Sequence, residues 1–122
     1  MTTTNHRILV VEDDDDIRDT LREVLAAEGY EVDVAKDGLD AFGMLQAAEH
    51  ASVVLLDMMM PRMDGETFLA TLKSHPELAG IHVIVISGNA RARDRAQELS
   101  AAACLVKPFE LDDLLGVVHR FA

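Results

Sequence analysis

The sequence predicts an α/β domain: a doubly wound parallel sheet with helices over both faces. Three observations lead there. Segments of strand length alternate with helix-patterned segments five times along the 122 residues. Most of the strand segments are continuously apolar, as strands are when helices cover both faces of their sheet. No internal repeat, low-complexity linker or shift in composition divides the chain, so the alternation fits one domain over residues 1–122. Strands alternating with helices pair in parallel, because each crossover helix returns the chain to the same end of the sheet.

The elements follow in order. Residues 1–6 read as a frayed end. RILVV at 7–11 is a short apolar run bounded by acids, a buried-strand signal. The next segment sets Ile17, Leu21, Val24 and Leu25 on one helical face, with Gly29 as the stop. EVDV at 31–34 alternates and reads as a second strand. Residues 37–50 read as a helix with Ala41, Leu45 and Ala48 inward, although Gly43 weakens it. VVLLD at 53–57 is the third strand. Residues 64–74 read as a helix with Asp64 as its N-cap. IHVIVIS at 81–87 is the fourth strand, 90–101 a helix, and CLV at 104–106 a short fifth strand. The last helix, 110–122, turns Leu111, Leu114, Leu115 and Val118 inward and carries Gly116 in its interior.

Composition excludes several functions. A net charge of −11 argues against this domain alone gripping a nucleic-acid backbone, which calls for a basic face. Cys104, the one cysteine, leaves no internal disulfide and no cysteine metal frame. No apolar run reaches the roughly 18 residues that span a bilayer. The start, MTTTNHR, lacks a signal-peptide core. These features together lead us to expect a cytoplasmic protein with no membrane partner. The histidines at 6, 50, 75, 82 and 119 show no metal-ligand spacing. In the acidic run at 12–16, Asp15 and Asp16 suit a helix start, where the dipole favours carboxylates. Arg91, Arg93 and Arg95 read as a solvated face, with contact to an acidic partner or pairing with neighbours such as Asp94 and Glu98 as the alternative.

The polar residues just past the strands carry the chemistry. Glu12 and Asp13 follow the first strand, Asp57 ends the third, Ser87 ends the fourth, and the fifth runs into Lys107. In a parallel sheet all these ends lie on one edge, where open α/β sheets bind ligands. Two carboxylates about 5 Å apart repel by roughly 3 kcal/mol at an effective dielectric of about 20. Lys107 can offset one charge. A hard divalent ion such as Mg2+ suits the rest. A carboxylate held beside such an ion can act as a nucleophile towards phosphorus, with Ser87 donating a hydrogen bond to the transferred group. Pro61 and the Asp64-Gly65 pair turn the chain away from Asp57. Taken singly, each residue has a plain alternative: Asp57 a turn cap, Glu12 and Asp13 helix-start acids, Ser87 a loop hydroxyl, Lys107 a solvated cation.

ILVVEDD, LLDMMMPRMDG, VIVISG and LVKPF, in that order and spacing, resemble the receiver domain of two-component response regulators, from about residue 7 to the end. The resemblance implies a flavodoxin-like sheet of order 2-1-3-4-5 with five surrounding helices. It implies Asp57 as phospho-acceptor and Glu12 and Asp13 as the acidic pair for Mg2+, with Asp13 the direct ligand. It further implies the Met59 carbonyl as a metal ligand, Ser87 as the switch hydroxyl, Lys107 as the phosphoryl partner, and a cis bond before Pro108. The expected function is a phosphorylation-dependent switch. It would take a phosphoryl group from a histidine kinase or phosphotransfer protein, hydrolyse it itself, and signal by binding a protein partner that the sequence does not name. Such a domain catalyses its own modification rather than turning over a small-molecule substrate.

Two departures from the family pattern stand out. Cys104 occupies a position where many receivers carry an aromatic residue that reports the switch, so coupling there is expected to be weaker. Gly88 stands where many have alanine, and the room it leaves for water suggests a short-lived phosphoryl group. Rival readings are an interaction module that is never phosphorylated, a phosphate sink or relay, and an unrelated nucleotide binder. The absence of a Gly-rich loop after the first strand speaks against the last.

Overall fold

Five strands and five helices alternate along the computed structural model, which describes residues 7–46, 51–58, 65–78, 80–88 and 90–122. The strands are β1 (Arg7–Val11), β2 (Glu31–Ala35), β3 (Val53–Asp57), β4 (His82–Ser87) and β5 (Ala103–Val106). The helices are α1 (Asp15–Ala27), α2 (Gly38–Leu45), α3 (Gly65–Lys73), α4 (Ala90–Glu98) and α5 (Leu111–Phe121), with one 3-10 turn at Pro76–Leu78. All pairings are parallel and the order is β2-β1-β3-β4-β5. The expected doubly wound sheet is therefore present.

Alternate residues of the strands feed two separate cores, which explains the unbroken apolar runs. Leu9, Val11, Val54, Leu56, Val83 and Val85 pack beneath α2, α3 and α4 through Ala41, Leu45, Phe68, Leu69, Leu72 and Ala96. Ile8, Val10, Val53, Leu55, Ile84 and Ile86 face the other way, towards Leu21 and Leu25 of α1 and Leu114 and Val118 of α5. Burying each of the Val, Leu, Ile and Phe side chains contributes about 1.5–3 kcal/mol.

Local chemistry sets the helix starts. Asp14 caps α1 by accepting from the Ile17 N–H, and Asp37 caps α2 by accepting from the Asp40 N–H. Asp15 and Asp16 then occupy the first turn of α1, as expected of helix-start acids. Gly29, with φ of +94°, ends α1 as its sequence position suggested.

Two inward assignments are corrected. Ile17 is 41% exposed and Leu111 is 49% exposed. Both sit in the first turn of their helices, while the core on that face takes Leu21 and Leu25 of α1 and Leu114 and Val118 of α5 instead. Several bounds also shift by a residue or more: α4 stops at Glu98 rather than 101, and β4 starts at His82 rather than 81. Ala48, Met59, Pro61, Asp64, His6 and His50 lie outside the described residues.

Candidate functional site

Strand register brings the predicted polar residues to one edge. Val11 pairs with Leu56, so Glu12 and Asp13 follow β1 beside Asp57, the last residue of β3. Asp57 pairs with Ile86, which sets Ser87 one residue further along the neighbouring strand. Ser87 in turn pairs with Val106, and its carbonyl accepts the Lys107 N–H at 2.7 Å.

Carboxylate oxygens of Glu12, Asp13 and Asp57 lie within 4.8 Å of one another. The Lys107 ammonium stands 4.0 Å from Asp57 Oδ2. Asp13 is exposed, whereas Glu12, Asp57 and Ser87 are buried. Asp57 is 7% exposed, at the end of a strand that lies between β1 and β4. Lys107–Pro108 is cis, as the family pattern implied.

Glu12 has the most informative electrostatics. Burial pushes its carboxyl up to about 7, the charge of Asp57 and hydrogen bonds with Asp13 and Asp57 add to the rise, and the Asp14 N–H opposes it. That N–H donates to Glu12 Oε2 at 3.1 Å, and Arg18 Nη1 donates to the Glu12 carbonyl at 3.1 Å. The acidic loop is thus held from both sides, and sequence reasoning missed the Arg18 contact. The i+6 separation of these residues follows no local helix or turn rule, so no sequence signal marks it.

The donor set fits a hard divalent cation. Three carboxylates this close repel by several kcal/mol at a dielectric of about 20, and one of them already retains its proton to neutral pH. An oxygen-seeking ion with retained waters relieves that repulsion. The backbone of Met59, also expected as a ligand, lies outside the described residues.

Gly65 shapes the same edge from behind. A Cβ there would stand 2.7 Å from Met58 Cα, so only glycine lets α3 start this close to the residue after Asp57. Its N–H donates to the Met58 carbonyl at 3.3 Å. Arg95, anticipated as solvated or paired within its helix, bridges Glu98 and also Glu66 at the start of α3. Cys104 is half-buried against the core under α2–α4, and burial raises its thiol pKa against the opposing charge of Arg93.

Fold and site together define a parallel α/β domain with an acidic, lysine-flanked ligand edge. Residues 8–119 match the response regulator receiver domain, and the chain belongs to that family. The response regulator MprA of Mycobacterium avium is 38% identical over 112 residues, covering 90% of this chain and 48% of that protein. The chain thus spans about half the length of the curated relatives it matches. Among solved structures, the chemotaxis response regulator CheY4 of Vibrio cholerae is 27% identical with a TM-score of 0.87, covering 98% of this chain and 100% of that one. The response regulator TrrA of Thermotoga maritima, crystallised in complex with Mg(2+)-BeF, is 29% identical with a TM-score of 0.84 over 95% of this chain and 98% of that one. Phosphorylation and Mg2+ binding are typical of this family of two-component systems. Among the described residues, no helix is long and apolar enough to cross a membrane.

Proposed function

We propose that this receiver domain is a switch set by phosphorylation of Asp57. The observation carrying this reading is the convergence of three carboxylates within 4.8 Å, with Lys107 at 4.0 Å from Asp57. A kinase or phosphotransfer phosphohistidine supplies the phosphoryl group. An Asp57 carboxylate oxygen attacks phosphorus in line, the P–N bond breaks, and the leaving imidazole keeps the electron pair and is neutralised by a proton. Hydrolysis later returns the carboxylate and inorganic phosphate.

Asp13, Asp57 and Glu12, with the Met59 carbonyl that the family pattern implies, would hold Mg2+. The ion supplies charge neutralisation for the phosphoryl oxygens. Lys107 reaches the acceptor from the opposite side and pairs with the new negative charge. Ser87 donates its hydroxyl to a phosphoryl oxygen and carries the change of state into β4 and α4. Glu12 orients the acidic loop through the Asp14 N–H, and would give up its proton to solvent on binding a cation. A protein partner reads the altered face.

Acetyl phosphate replaces the kinase in the test. Intact mass of the wild type should rise by one phosphoryl group with Mg2+ and not with chelator, and Asp57→Asn should not respond. A wild type that never gains mass supports the rival reading, an interaction module that works without phosphorylation.

A further inference from the structure

Helix α2 is apolar on more sides than its packing needs. It buries Ala41 and Leu45 against the sheet, yet Leu39 is 49% and Met44 36% exposed on its outer side. A helix apolar all round is ordinarily covered all round, and a contiguous exposed apolar surface marks a contact site. Between this side of α2, the end of β2 and α1 lies an open groove of about 610 Å3, lined by Val34, Lys36, Leu39, Met44 and Arg18. Gly43 leaves its wall bare, since an added Cβ would meet nothing within 4 Å.

Charge selects the occupant. The chain carries −11, yet among the described residues this groove is lined by Arg18 and Lys36 beside one carboxylate, Asp40. Arg18 is already engaged by the Glu12 carbonyl and Asp15. Lys36 is exposed and makes no ion pair with any described residue. A second copy of so acidic a chain is repelled at long range. An apolar anchor with a carboxylate beside it satisfies both Leu39 and Met44 and the ammonium of Lys36. We propose that the α1–α2 groove docks a protein segment, helical in form, that presents apolar side chains flanked by carboxylates.

A synthetic helical peptide with leucines at i and i+4 and glutamates beside them is the probe, and amide NMR of the labelled protein is the readout. Shifts should concentrate at Lys36, Leu39 and Met44. Affinity should fall roughly fivefold in Lys36→Glu and vanish in Leu39→Glu. Both side chains are exposed, so both variants should melt like the parent. The same peptide with lysine in place of every glutamate should bind more weakly. Equal binding of the lysine peptide, indifference to either substitution, or shifts centred elsewhere would overturn the proposal. So would sedimentation showing a dimer that Leu39→Glu dissolves, because the groove would then take a second copy.

Discussion

Glu12 keeps its proton to about pH 7 in the fold, while an unfolded glutamate releases it near 4.5. Between those values the folded chain binds more protons than the unfolded one, so stability falls as pH rises through the window. The full span is worth roughly 3 kcal/mol. Urea unfolding of metal-free protein at about pH 5 and about pH 7.5 should show most of that loss, and Glu12→Gln should flatten it. Saturating Mg2+ should offset it in the wild type, because the ion takes the place of the proton. Matching pH profiles for wild type and Glu12→Gln would contradict this assignment. Gly88 offers a second residue-scale test. It is exposed and a Cβ there meets nothing within 4 Å, so Gly88→Ala leaves the fold alone. The variant should slow phosphoryl loss several-fold if the space beside Ser87 admits water, and an unchanged decay rate would remove that role. At this scale the strand-end identities were legible, since acids and a lysine after apolar runs need a reason. Arg18 on the Glu12 carbonyl was not, because a backbone acceptor leaves no mark in composition.

Elements were legible where period and caps agreed. Each strand lies within about two residues of its predicted bounds, because an apolar run buried on both faces has few alternatives. Helix faces were less secure: Ile17 and Leu111 fit the helical stripe, but the fold leaves both largely exposed, and only tertiary placement reveals that. Two glycines separate interior flexibility from close approach. Gly116 in α5 has open space around its Cβ position, so Gly116→Ala should stabilise by up to about 1 kcal/mol. Gly65 faces Met58 backbone at 2.7 Å, so Gly65→Ala should destabilise by about 1–3 kcal/mol and slow phosphorylation of the neighbouring Asp57. Denaturant midpoints of the two variants should move in opposite directions. A shift in the same direction would mean that the α3–β3 approach is looser than the distances show.

Across the whole molecule, parallel pairing turns five scattered polar residues into neighbours. Glu12 and Lys107 are far apart in sequence, yet both follow strands that end on the same edge as Asp57. The sheet order and the cis bond before Pro108 came from the family pattern rather than from periodicity, because hydrophobic patterning constrains faces and not strand neighbours. The switch turns on one carboxyl group, that of Asp57, if it accepts phosphorus as proposed. Treatment with acetyl phosphate and Mg2+, followed by borohydride reduction, converts an acyl phosphate to an alcohol and marks the site permanently. Peptide mapping should then find homoserine in place of Asp57, and none when Mg2+ is chelated. Reduction at another carboxylate, or at none, would contradict the account.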